Sequence, residues 1–329
     1  MNMNITTPIA GECHEITTRA DGTAEFAYAG QKAWHGLGQL VPENATVEEM
    51  AVAAGMDWKI ERAAVKYATP YAPASAHEVP GRVVLYRSDT SAPLSIVSAR
   101  FQEVQPRDAL EFFRDMTEAG GYTMETAGTM RGGSRMFALV KAAHDFELPG
   151  GDLVATRLLF ATACDGSMAT HVRPTTVRVV CRNTLAMAMA RGDTIAVRHS
   201  TKFDPNSVKE RLQKIDARFD AFAQAAELMA RTAVTTKKAE SFLESLLPTP
   251  LNGLVQDSRA YKQVLALFNG GAKGADLTSS RGTMWGLLNA VTEYVDHHAR
   301  SSSDENRLES ATFGAGDALK SRALDFAVA

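Results

Sequence analysis

The sequence predicts an α+β fold: a mostly antiparallel sheet with packed helices, followed by an all-helical C-terminal region. Three observations carry this. Between residues 57 and 202, short runs with strand-like alternation are punctuated by Gly, Pro, Asn and Asp, without the regular strand–helix repeat of a doubly wound parallel sheet. Beyond residue 202 the apolar spacing turns helical and almost no strand signal remains. The 329 residues, 45% apolar and 22% charged, supply ample core and exceed what one small domain organises. The chain therefore divides into an N-terminal arm (1–40), an α+β core with a basic surface (41–202) and a helical C-terminal domain (203–329).

The first 30 residues or so are polar and rich in Thr and small residues, as in an extended arm. The arm ends at AYAGQKAWHGLGQLVP, where Gly30, Gly36 and Gly38 leave the backbone around Trp34 free to approach a partner or to plug the core. Thr46 reads as an N-cap, Glu48 and Glu49 complement the first-turn dipole, and Gly55 ends a short helix. DWKIERAAVKY, GRVVLYRSD and PLSIVSARF follow as strands, the last two forming a hairpin. Pro106 opens an amphipathic helix closed by a glycine pair. YTMETAGTM and SRMFALVKA form a second hairpin around Arg131, Gly132 and Gly133, and LVATRLLFATACDGS is a strand ending in an Asp-Gly turn.

In the C-terminal region Val208, Leu212, Ile215, Phe219, Phe222, Ala226 and Met229 recur at spacings of four and three. Because Ala and Phe stand where a zipper would repeat Leu, packing within its own bundle is expected. Leu247-Pro248-Thr249-Pro250 breaks the next helix, and GGAKGA forms a loop. A last apolar stripe runs through Met284, Leu287, Leu288, Val291, Tyr294 and Val295.

Composition excludes several classes of function. The formal charge is −3, so affinity for nucleic acid must come from a local patch. Cys13, Cys164 and Cys181 are too few and too scattered for a disulfide framework or a zinc site. With no basic leader before an apolar run and no window of about 18 apolar residues, a cytoplasmic protein without membrane contact is expected. Adjacent His297 and His298 beside Asp296 lack the spacing of four that helical zinc ligands need, so no metal is expected. None of the glycine groups matches a phosphate loop or a dinucleotide fingerprint, so no cofactor is expected. Cys181 alternates with Val177 and Val179 on an apolar strand face, where it is a small hydrophobe rather than a nucleophile. No catalytic group is assembled.

What stands out is the segment from Met168 to Lys202, which carries Arg173, Arg178, Arg182, Arg191, Arg198 and Lys202 against one acid, Asp193. If TTVRVVCR is extended, Arg178 and Arg182 share a face about 13 Å apart, with Val177, Val179 and Cys181 turned inward. Asn183 would then cap a helix TLAMAMAR, and TIAVRHSTK would return with Arg198 and Lys202 pointing out. Arg131 and Arg135 add charge from the neighbouring hairpin. Trp34, Tyr86 and Phe101 are candidate base-stacking residues.

The blocks KAWHGLG, DGS followed by TTVRVVCRNTL, and TMWGLLNAVTEYVDHHA with FGAGDALKSRAL resemble the phage/plasmid-like proteins catalogued as domain of unknown function 932. The resemblance implies a cytoplasmic protein of a phage, prophage or plasmid. A weaker, purely architectural similarity links the pattern to single-strand annealing recombinases of the Red-beta, RecT and Erf type, and it transfers no residue. The expectation is an ATP-independent single-stranded DNA-binding protein, an annealing or recombination factor. It would act as a homo-oligomer, with a replication or recombination protein as a further partner. The alternatives are a protein-interaction factor such as an inhibitor of host defence, or a nucleic-acid-processing enzyme using Asp165, His171 or His199.

Overall fold

A long central strand, β9 (Asp152–Ala163), organises the chain by pairing antiparallel with β7 (Arg135–Ala142) on one side and β10 (Thr170–Arg178) on the other. The computed structural model describes residues 16–30, 38–118, 121–178, 183–186, 195–212, 215–251, 253–302, 307, 310–312 and 314–329. Outward from β7 lie β6 (Tyr122–Met130), β1 (Phe26–Ala29) and β2 (Gln39–Val41). Outward from β10 lies β11 (Asn183–Ala186), while β8 (Phe146–Leu148) pairs with β9 and β12 (Ile195–Val197) with β10. Every described pairing is antiparallel except β1 with β2. A second sheet has the order β3 (Ile60–Thr69), β4 (Ala72–Arg87), β5 (Pro93–Ser98).

Local sequence explains the turns and caps. Thr46 and Glu49 form the reciprocal capping box of α1 (Val47–Ala53): Glu49 N donates to Thr46 Oγ1 at 3.2 Å and Thr46 N to Glu49 Oε2 at 2.8 Å. Between β6 and β7, Arg131, Gly132 and Gly133 all adopt positive φ. Gly133 is required there twice over, because a Cβ would also lie 2.8 Å from the Trp58 ring.

Strand alternation divides the large sheet into two faces. One carries Met136, Ala138, Val140, Leu158, Phe160 and Val172, all buried. Phe112 and Phe113 of α2 (Pro106–Glu118) pack on it, with ring centroids 5.5 and 6.4 Å from Phe160. Phe222 of α4 (Ile215–Arg231) covers the same face further along, against Phe146 and Trp285. The opposite face carries Phe26, Tyr28, Phe137, Leu139, Leu159, His171 and Arg173 in register.

The chain turns helical after Lys202, with α3 (Pro205–Leu212), α4, α5 (Thr236–Leu246), α6 (Arg259–Ala266), α7 (Met284–Glu293) and α8 (Ala315–Val328). The seam residues Val208, Ile215, Phe219, Phe222, Ala226 and Met229 are buried. One connected core nevertheless runs from Ala27 of β1 to Leu324 of α8, so sheet and helices stabilise each other. Buried polar ties cross this junction at Asp152 and join helix to helix at Lys320. Asp152 accepts from Ser279 Oγ at 2.7 Å and Trp285 Nε1 at 3.0 Å, and Lys320 Nζ meets Asp296 at 2.7 Å.

Three parts of the reading from sequence differ from what is seen. Phe26–Ala29, placed in the N-terminal arm, is a fully buried strand between β6 and β2. Its four apolar residues are too short to show a period, and only the pairing with Thr126–Gly128 makes them a strand. Asn183–Ala186, expected to start a helix, is instead strand β11, bonded to Thr175–Arg178. Leu, Ala and Met favour a helix, but an open edge of β10 satisfies the same backbone groups in a ladder, and tertiary context overrides propensity. The described part of β10 ends at Arg178, which pairs directly with Asn183. Its phase is also reversed: Val177 shares the face of Arg173 and Thr175, not the core face of Val172. Val179, Cys181, Arg182 and Trp34 lie outside the described residues.

A buried polar cluster links the two sheets. Arg87 of β4, 4% exposed, donates to both oxygens of Glu25, 1% exposed, at 2.6 and 2.9 Å. It also donates to Asp89 at 2.8 and 3.0 Å and lies 4.3 Å from the centre of the Trp58 ring. Thr129 Oγ1 donates to the same Glu25 carboxylate at 2.5 Å. Burial alone would lower the Arg87 pKa, but the hydrogen bonds to Asp89 and Glu25 reverse that and raise it. Removing one member strands the other's charge, so Arg87→Ala is expected to cost about 3–5 kcal/mol in urea unfolding. A loss under about 1 kcal/mol would show that the cluster does not join the sheets.

Candidate nucleic-acid interface

Four segments meet at the end of the large sheet where β9 turns into β10: the β6–β7 turn, the β9–β10 turn, the residues after β12 and the residues after β5. Cys164 N donates to Ser134 O at 2.8 Å, and Ser95 Oγ donates to Cys164 O at 2.7 Å. Asp165-Gly166-Ser167 forms a tight turn in which Asp165 accepts from Ser167 N at 2.9 Å, with Gly166 at φ 75°. Gln102 N donates to His199 O at 2.6 Å, which draws the chain after β5 onto the chain after β12.

At that junction Phe101 stacks on His199, with ring centroids 4.4 Å apart and planes 18° from parallel. The imidazole is held from both sides, Nδ1 at 2.8 Å from Gln102 O and Nε2 at 3.1 Å from Met168 O. Flanking Phe101 and His199 in the chain, Arg100, Arg198 and Lys202 are exposed. None of the three forms an ion pair among the described residues. Glu103, the acid that follows Phe101, is occupied: Arg62 donates to it from Nε at 3.0 Å and from Nη2. The same guanidinium reaches Ala99 O at 3.3 Å and Phe101 O, pinning residues 99–103. The result is a stacked, half-buried ring pair flanked in the chain by three cations.

The residues singled out from sequence fare differently. Phe101, Arg198 and Lys202 come together here, and Arg131 is exposed at the same end of the sheet, with φ 53°. Arg135 is buried and donates to Ser167 Oγ at 3.1 Å, so it supports the β9–β10 turn. Arg173 is 13% exposed and paired with Asp317 at 2.8 Å, and it also donates to Thr312 O, so it fastens α8 and the preceding residues to β10. Arg178 lies roughly 17 Å further along β10 from Arg173, at the other end of the strand. Tyr86 belongs to the small sheet, half-buried, where a hydrogen bond to Glu61 raises its pKa. Arg100 and the stacking role of His199 were missed. The residues that meet there are 97 positions apart, and no local pattern announces such a pairing.

Chemistry other than binding finds little support in the described residues. Burial foremost, then Asp165, pushes the Cys164 thiol up to about 12, the opposite of an activated nucleophile. Burial, helped by Arg173 and His199 and opposed by Asp317, lowers the His171 pKa and keeps the ring neutral. No group of three or more His, Cys, Asp or Glu side chains is placed to hold a metal ion among the described residues. No helix among them is long and apolar enough to cross a membrane.

Comparison with known families bears on the same region. A family profile described as Domain of unknown function (DUF932) matches residues 93–312. The chain belongs to this family. No curated protein and no solved structure matches it. The DUF932 match runs from β5 to the residues before α8, so it contains Arg100, Phe101, Arg198, His199 and Lys202 together with the helices that back the sheet.

His171 supplies a pH test of the geometry. Its folded pKa lies below the ordinary 6.5, so the unfolded chain takes up the proton first as pH falls. The stability tied to the neutral ring is therefore complete above pH 6.5 and is lost as pH drops through the folded value. Urea unfolding from pH 8 to pH 5 should show wild type losing stability on acidification that His171→Phe does not lose. Equal slopes for the two proteins would contradict the assignment.

Proposed function

We propose that this DUF932 protein binds single-stranded DNA in the cytoplasm as part of a mobile element. It works without ATP, as an annealing or recombination factor in an oligomeric form. The observation that carries the reading is the stacked Phe101–His199 pair, flanked in the chain by the exposed Arg100, Arg198 and Lys202, which form no ion pair among the described residues. A single strand offers alternating phosphates and base faces, and a platform of rings among cations matches both. The net charge of −3 means that this local excess, rather than the field of the whole protein, would hold the strand.

Phosphates would be held by Arg100, Arg198 and Lys202, with Arg131 at the margin, while Arg135 and Arg173 position the turn and α8 behind them. The similarity of the sequence blocks to phage and plasmid proteins supports the biological setting. The α+β arrangement, an antiparallel sheet backed by helices, is consistent with the architectural likeness to annealing proteins.

Fluorescence anisotropy with a labelled oligothymidine tests the reading. Wild type should bind at low salt, with log K falling linearly against log salt. Replacing Arg198 and Lys202 by Ala should make that slope shallower by about 1.4, since each phosphate contact on a single strand contributes about 0.7. Phe101→Ala should weaken binding by roughly 5- to 150-fold with little change in slope. Absence of any binding by wild type at low salt would reject the proposal.

A further inference from the structure

The strands β3 and β4 continue well beyond the sheet they begin in. β5 pairs only with residues 82–86 of β4, which face β3 up to Ala64, so from Val65 to Gly81 the chain is a two-stranded ribbon. Its described side chains are exposed or half-exposed along its whole length. Where the ribbon leaves the sheet, one residue of β3, Val65, faces four of β4, Val79–Arg82, with Gly81 at φ 72°. That bulge redirects the ribbon away from the body. An isolated two-stranded ribbon is marginally stable in water, so an arm of this kind calls for a partner.

The chemistry of the arm specifies the partner. Tyr71 at its tip is 98% exposed and Tyr67 is 53% exposed. Tyr67 and His77 face each other across the strands, ring centroids 5.4 Å apart and 35° from parallel. The arm's single acid, Glu78, sits directly opposite its single lysine, Lys66, so the ribbon repels neither sign of charge. Pro73 and Pro80 remove backbone donors from β4, which disfavours addition of a protein strand along that edge. At the root, Arg82 is exposed and makes no ion pair among the described residues.

The root of the arm is bonded to the candidate interface itself. Ala99 N donates to Gly81 O at 3.0 Å, and the Arg62 side chain at the start of the ribbon reaches Ala99 O and Phe101 O. The arm therefore springs from the segment that carries Arg100 and Phe101. We infer that the arm is a second contact for the same single strand: bases stack on Tyr67 and Tyr71 while the phosphates are held at its root by Arg82, Arg100, Arg198 and Lys202. This inference rests on the proposed DNA-binding function and adds to it a stacking site about 20 residues upstream of β5 in the sequence.

The test compares wild type, the pair Tyr67→Ala with Tyr71→Ala, and the pair Tyr67→Phe with Tyr71→Phe, by anisotropy with labelled oligothymidine and by size-exclusion chromatography. The double Ala variant should bind roughly 5- to 150-fold more weakly for each stacked base lost, with an unchanged salt slope. The double Phe variant, which keeps both rings, should bind as wild type does. If wild type binds and the double Ala variant binds equally well, the arm inference falls and the DNA-binding reading stands. If wild type itself does not bind, the DNA-binding reading fails and the arm inference with it. If the double Ala variant dissociates from an oligomer to a monomer while each protomer keeps its affinity, the arm joins copies of the chain and the inference is overturned. Both tyrosines are exposed, so far-ultraviolet circular dichroism of the variants should match wild type.

Discussion

The orientation of the small sheet against the large one depends on a buried ion pair between Arg87 and Glu25. Arg87 ends β4 of the small sheet and Glu25 immediately precedes β1 of the large one, 62 positions apart, and neither is open to water. Burying either charge alone is expensive, so each residue fixes the other. Their surroundings meet the remaining hydrogen-bonding needs: Asp89 takes the second edge of the guanidinium, Thr129 donates to the carboxylate and the Trp58 ring covers the cation. A hydrophobic contact of the same area would hold the sheets together with less fixed orientation, since it has no directional requirement.

That orientation decides where the candidate interface lies. β5 belongs to the small sheet and β12 to the large one, yet Phe101, just after the first, stacks on His199, just after the second. A shift between the sheets would separate the rings and spread the three cations. The arm follows the same logic, since Gly81 and Arg62 bind it to residues 99–101. The helices contribute from behind: Asp152 joins β9 to α7 and Arg173 joins β10 to α8, so the surface beside the site rests on a shared core.

How much of this could be read from the sequence follows from the range of the interactions involved. The α1 cap was legible because Thr46 and Glu49 are three residues apart, and the β6–β7 turn because its glycines are adjacent. The buried seam from Val208 to Met229 was legible because a helix repeats its signal every turn. Phe26–Ala29 gave no such signal, being four apolar residues that become a strand only through β6. Asn183–Ala186 carried the wrong signal, since a capping Asn before a run of Leu, Ala and Met reads as a helix start while its backbone pairs with β10. At the site, Phe101, Arg198 and Lys202 were recognisable by residue type. The grouping was not, because Arg173 finds its carboxylate 144 positions away and Phe101 finds His199 across most of the fold.

The central claim is that the two loops bearing Phe101 and His199 form one surface for a single strand. Amide hydrogen exchange with and without oligothymidine, read by peptide mass spectrometry at low salt, measures this directly. Exchange should slow at residues 99–103 and 198–202 together, and along the arm at 64–79, while β9 stays unchanged. Slowing confined to residues 170–186, or no slowing at either loop while the oligonucleotide is bound, would contradict it.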